Sequence, residues 1–133
     1  MITIRPMLYW AARIVAGLIM LQTLYFKFTG AEESVYIFTQ AGMEPWGRIG
    51  VGVLELIAAV LLMLNRTAWI GGALALGLMG GAIMMHLTML GISIMDDGGY
   101  LFFLAVVVTL CAVYVLIENR EKIKSIVRSI RAY

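Results

Sequence analysis

The stretch YLFFLAVVVTLCAVYVLI, Tyr100 to Ile117, runs for eighteen residues without a charge. A helix of about 20 mainly apolar residues, rising 1.5 Å per residue, crosses the roughly 30 Å hydrocarbon layer of a bilayer. The segment therefore reads as a membrane span. Three more apolar segments precede it, Met7 to Phe26, Trp46 to Leu64 and Thr67 to Ile92, and each of these carries at least one ionisable group. Hydrophobic residues make up 62% of the chain and mean hydropathy is +0.95, which excludes an ordinary soluble domain. Only helices and closed barrels satisfy every backbone group in lipid, and continuous apolar runs do not fit the alternating ten-residue strands of a barrel. The expected fold is all-α: residues 1–133 form one integral membrane domain, a four-helix transmembrane bundle.

Charge outside the spans sets an expected orientation. Arg5, Arg66, Arg120, Lys122, Lys124, Arg128 and Arg131 fall on one side of a four-span arrangement, and Glu32, Glu33, Glu44, Asp96 and Asp97 fall on the other. The net charge of +2 thus averages a basic face and an acidic one. Basic loops stay inside, so both termini are expected in the cytoplasm of a bacterial-type inner membrane. Arg5 ahead of an apolar stretch resembles a secretory signal, but no Ala-x-Ala cleavage site follows and Arg13 interrupts the run. A permanent span is expected there.

Cys111 is the single cysteine, so one chain can form neither a disulfide nor a CxxC redox pair. With one histidine besides, the composition argues against a protein-built metal site or bis-histidine haem, and no covalently bound cofactor or nucleic-acid partner is expected.

The connections carry further signals. In the first outer loop, Glu32 and Glu33 suit a helix N-terminus, Val35 and Phe38 share a face, and Gly42 with Pro45 supplies a stop. This predicts a short interfacial helix over about Ala31 to Ala41, with Trp46 as an aromatic anchor. Asn65 and Arg66 make a tight inner turn, and Asp96 to Gly99 make the second outer turn. Ala73, Gly77 and Gly81 form a small-residue ridge on the third span, suited to an internal seam or to a homo-oligomer interface; the internal seam is the expectation. Over residues 118–133, Ile123, Ile126, Val127 and Ile130 oppose Lys122, Lys124, Arg128 and Arg131. That pattern predicts an amphipathic cytoplasmic helix on the anionic leaflet.

An ionisable group in hydrocarbon costs on the order of 2.5 to 3.5 kcal/mol even on insertion scales, so each needs a partner, a cavity or a task. Arg13, Ala16, Met20, Thr23 and Lys27 form one stripe on the first span, and Arg48, Gly52, Glu55, Ala59 and Leu62 form another on the second. Counting residues from the span ends leaves an axial gap of about 8 Å between Arg13 and Glu55, within reach of a long arginine. Glu55 is accordingly expected either to form a structural ion pair with Arg13 or to serve as the proton acceptor or polar wall of a ligand cavity. Lys27 and Arg48 alone read as snorkelling anchors, and His86 as an interface histidine. Together they suggest an outward-opening polar pocket between the first three spans. Lys27 and His86 would sit near its mouth, Glu55 at its floor, and Gly52 and Ala59 would leave space beside the carboxylate.

The runs Arg13-Ile-Val-Ala-Gly17, Tyr25-Phe26-Lys27-Phe28, Gly42-Met-Glu-Pro-Trp46, Ile49-Gly-Val-Gly-Val-Leu-Glu55-Leu and Gly81-Ala-Ile-Met-Met-His86-Leu resemble the DoxX family, in particular its DoxX-like branch. The likeness covers about three spans; the fourth matches in hydropathy alone. It implies a four-helix membrane bundle with Arg13, Lys27, Glu55 and His86 as its polar positions. It also implies a link to membrane redox systems or to assembly of other membrane proteins. The first expectation is an accessory subunit of a quinone-linked redox system, in which a quinone or partner subunit supplies the redox chemistry. The alternative is a non-enzymatic binding, assembly or chaperone-type protein. The resemblance is compatible with an enzymatic and with a non-enzymatic role, and a small transporter ranks last for want of an inverted repeat or broken span.

Overall fold

The computed structural model describes residues 4–132. Its elements are α1 (Ile4–Thr29), α2 (Glu32–Gln40), α3 (Trp46–Met63), α4 (Ala68–Met85) continued by a π-helical turn (His86–Leu90), α5 (Tyr100–Glu118) and α6 (Arg120–Arg131). Four of these helices are long and apolar enough to cross a membrane, and no strand occurs among the described residues. The protein is an all-α, multi-pass membrane bundle. In order of contact α1 packs on α3, α3 on α4, α4 on α5 and α5 back on α1, which closes a four-membered ring.

Small residues draw the ring tight. Ala16, Ala58, Ala59, Ala68, Ala75 and Ala112 are almost fully buried, alongside Met20, Leu62, Val108 and Val115. Lipid gives apolar helices little hydrophobic reason to associate, so close backbone approach and dispersion have to hold them together. Closest approach falls at Gly71, where an added Cβ would lie 2.6 Å from the Leu62 amide nitrogen and 2.9 Å from the Ala58 carbonyl oxygen. Gly72 turns toward α5, where Val115 would stand 3.2 Å from such a Cβ. The seam therefore runs through Gly71, Gly72 and Ala75, correcting the expectation that the Ala73, Gly77 and Gly81 ridge faces inward. Those three are exposed, because the buried row begins at Ala68 and keeps its own three-and-four spacing.

Connections at the acidic end are built by local chemistry. Gly30 has φ +68°, and behind it the Ala31 amide donates to the Phe26 carbonyl at 2.9 Å, ending α1 in a Schellman-type turn. Gly42, at φ +73°, ends α2 in the same way, with the Met43 amide donating to Phe38 at 2.8 Å. The buried face of α2 is Ser34 and Phe38, one turn apart, rather than Val35 and Phe38. In the α4–α5 turn the Asp97 carboxylate accepts from the amides of Ile94 at 2.9 Å, Gly99 at 2.8 Å and Leu101 at 3.2 Å. Desolvation pushes this carboxyl upward, yet those amides together outweigh it and hold Asp97 below the ordinary aspartate value.

At the basic end, Arg5 pairs with Glu118 at 2.7 Å, and the Asn119 side-chain amide donates to the Tyr9 hydroxyl at 2.9 Å. Lys122 donates to the Arg66 carbonyl at 2.9 Å, tying α6 to the α3–α4 turn. None of the residues of α6 is buried, so its apolar side, including Val127 and Ile130, lies uncovered.

Candidate functional site

Both polar stripes face inward. Ala16 and Met20 of α1, and Gly52, Ala59 and Leu62 of α3, are buried together with Arg13 and Glu55, while Lys27 and Arg48 at the outer ends of the rows are partly buried. The pairing within them differs from the Arg13 expectation: the partner of Glu55 is Lys27, whose Nζ lies 3.2 Å from Oε1. Helix geometry explains the choice. Each Cα–Cβ bond leans toward its helix N-terminus. In α1 that lean carries Lys27 toward the bundle centre and Arg13 toward the basic end; in α3, which runs the opposite way, it carries Glu55 toward the acidic end. Lys27 and Glu55 therefore lean toward each other, while Arg13 and Glu55 lean apart. Thr23, one turn before Lys27 on the same stripe, completes the cluster. Its hydroxyl lies 3.2 Å from Glu55 Oε2 and 3.0 Å from the Met20 carbonyl, with one proton to give between two acceptors.

The two arginines close helix ends instead. Arg13 of α1 donates from Nε to the Leu62 carbonyl at 2.6 Å and from Nη1 to Asn65 Oδ1 at 3.0 Å, so it covers the C-terminus of α3. Its Nη2 has no hydrogen-bond acceptor among the described residues, and its guanidinium carbon stands 3.8 Å from the centroid of the Trp10 ring, whose face attracts the charge. Arg48 of α3 reciprocates: Nη1 donates to the Lys27 carbonyl in the last turn of α1, and Nε holds Glu44 at 2.8 Å. A cation at a carbonyl-bearing helix end is favoured by the helix dipole. Arg13 thus lies in the basic half, remote from Glu55, and Arg48 stands behind the Lys27 backbone outside the cavity wall.

His86 opens the π-helical turn and is 5% exposed. Its Nδ1 lies 3.0 Å from the Gly91 carbonyl, and a carbonyl can only accept, so Nδ1 carries the proton. In the neutral ring Nε2 is then an acceptor, and it has no partner among the described residues. Phe102 meets the ring edge to face at 5.5 Å.

Lys27, Glu55 and His86 all line one cavity of about 310 Å³ in the half of the bundle nearer the acidic end. Its lining is mostly apolar, which corrects the expectation of a polar pocket. All four spans contribute, including Leu104 of α5, and α2 roofs it with Ser34, Ile37 and Phe38. The space beside Glu55 lies on the Val51 side; the Gly52 side is filled, since a Cβ there would come within 2.6 Å of the Phe28 ring. Thr23 and the α2 roof were not among the expected site residues. Thr23 could have been found from its place on the Lys27 stripe, whereas nothing in the sequence folds α2 back over the bundle.

A family model described as DoxX matches residues 8–88, from early α1 into the π-helical turn. No curated protein and no solved structure matches the chain.

Proposed function

The chain belongs to the DoxX family, and from that premise we propose that it is an accessory subunit of a quinone-linked membrane redox system, with the head group of a quinone in the cavity between α1, α3, α4 and α5. The observation that carries the proposal is the cavity itself: about 310 Å³, mostly apolar, yet lined by an ammonium, a carboxylate and an imidazole with a free acceptor. Such a volume stands at the lower end for small-molecule sites and suits a single ring. A quinone supplies two-electron, two-proton chemistry, with the electrons exchanged through a partner redox subunit. Lys27 uses one of its three N–H donors on Glu55 and offers the others to an acceptor oxygen. The Nε2 of His86 accepts from a hydroxyl at another edge of the ring. Glu55, steadied by Thr23, is the group able to take a proton from that cluster.

The test is to extract the protein from native membranes in mild detergent and assay it by native mass spectrometry and redox difference absorbance. A bound quinone, lost in Lys27→Met and in His86→Leu variants that still fold, is the expected result. A purified protein that carries no quinone, and whose melting temperature does not move on quinone titration, overturns the reading.

A second reading rests on the outward-facing Ala73, Gly77 and Gly81 ridge, onto which the backbone of a partner helix could pack during assembly of another membrane protein. It requires copurification with that protein and no chromophore.

A further inference from the structure

We infer that the cavity opens sideways into the bilayer between α3 and α4, and that its occupant is a membrane-dissolved molecule whose small polar head lies inside while a single apolar chain leaves through that gap. The inference deepens the quinone reading and rests on it for the nature of the head.

Gly71 and Gly72 fix the sides of α4, the first against the α3 backbone and the second against α5. Counting about 100° per residue from Gly71, Leu78 and Ala82 come back to within about 20° of the α3-facing direction. Gly81 and Gly77 come out about 80° and 120° further round, on the edge away from α5. Both glycines nevertheless line the cavity, both are exposed, and a Cβ on either would meet no atom within 4 Å. Near the basic end the α3 and α4 backbones touch at Gly71; two to three turns on, the cavity reaches the outward-facing Gly77 and Gly81, beside which there is open space. The gap lies at the depth of the spans, where the surrounding solvent is hydrocarbon.

The independent pointer to a ligand is His86. It is buried to 5% exposure on the same helix, its Nε2 has no partner among the described residues, and it lines the same cavity. A wholly apolar lipid chain would leave that acceptor and the spare Lys27 protons unmet, each a desolvated polar group without a bond. A freely water-soluble ligand would have no use for a glycine-edged opening in hydrocarbon. A polar head with one chain satisfies both the cluster and the gap.

The test compares a quinone bearing a long isoprenoid or alkyl tail with its tail-less parent, by equilibrium titration of the full chain in nanodiscs. In Gly81→Phe or Gly77→Leu protein the new side chain enters open space and blocks the exit. Tailed-probe affinity should fall at least about tenfold, which is 1.4 kcal/mol, while the tail-less probe changes less than about twofold. A diazirine on the first tail carbons should crosslink the Gly77 to Gly81 segment of wild-type protein, a readout that survives if either variant fails to fold. Crosslinks on α2 or at the α1–α5 seam, or equal affinities of both probes in all proteins, overturn the side opening. If neither quinone binds wild-type protein, the quinone reading fails by itself. A diazirine-bearing fatty acid then decides the opening: crosslinking at Gly77 to Gly81 keeps it and an unmarked segment removes it. Capture of a neighbouring protein by a photoreactive residue at position 81, in place of any probe, assigns the ridge to a partner helix and overturns the proposal.

Discussion

At Lys27 and Glu55 a buried pair is stabilised chiefly by each charge sparing the other an unpaired burial. Glu55 is 2% exposed, and only Lys27 and Thr23 reach its carboxylate among the described residues. Replacing Lys27 by Met or Glu55 by Gln is expected to cost about 3 to 5 kcal/mol for the single change that leaves a charge stranded, and less for the double change. A double-mutant cycle by denaturation in mixed micelles should therefore show coupling between positions 27 and 55. The Arg13→Met and Glu55→Gln changes should add to within about 0.5 kcal/mol, since the two groups share no partner. Stronger coupling of Glu55 to Arg13 than to Lys27 would reject the pairing. Both inward stripes were legible from three-and-four spacing, because that spacing alone determines which residues share a face. The choice of partner along the stripe was not, because axial residue counts ignore the lean of Cβ toward the helix N-terminus, and that lean separates Arg13 from Glu55.

Among the elements, α4 shows how one helix type serves two ends. A side chain at Gly71 collides with the α3 backbone, which cannot rotate away as a side chain can, so Gly71→Val should lose about 1 to 3 kcal/mol or more through overpacking. Gly77→Ala meets nothing and should instead gain up to about 1 kcal/mol from helix propensity. Melting temperatures of the two variants should thus move in opposite directions, and a loss of stability in Gly77→Ala would mean that the ridge is packed after all. Both glycines look alike in the sequence, since small residues at four-residue intervals occur on several faces of this helix and only contact with a neighbour distinguishes them. The π-helical turn at His86 is likewise invisible to hydropathy, which continues unbroken to Ile92. At the start of α5, Asp97 gives a pH dependence of known sign. Its folded value is depressed, so its contribution to the turn is complete above the ordinary value of 3.8 and is lost as pH falls through the lower folded value. The NMR amide shifts of Gly99 and Leu101 should titrate with a midpoint below 3.8; a midpoint above it would show that the amides do not hold the carboxylate.

For the molecule as a whole, the two ends differ in charge and in purpose. Arg5, Arg66 and the α6 residues Lys122, Lys124, Arg128 and Arg131 belong to the basic end, which is held by Arg5–Glu118, Asn119–Tyr9 and Lys122–Arg66 contacts with the Arg13 guanidinium buried beneath. The acidic end instead contains the cavity and its α2 roof. Four spans put both termini on one side, and the basic end is the one that resists translocation, so amino- and carboxyl-terminal reporters should both register the cytoplasm. With that orientation the uncovered apolar side of α6, bordered by Lys122, Lys124, Arg128 and Arg131, is expected at the leaflet richest in anionic lipid, where each basic residue would contribute about 1 kcal/mol to surface attraction. Orientation also decides the route to the site: with the basic end inside, the opening beside Gly77 and Gly81 faces the outer half of the bilayer and the Glu55 cluster lies beyond its midplane. A fusion at the carboxyl terminus with a phosphatase that works only outside the cytoplasm should stay inactive, while the same enzyme inserted at Gly42 should be active. The reverse pattern would turn the molecule over and move the cavity to the cytoplasmic leaflet.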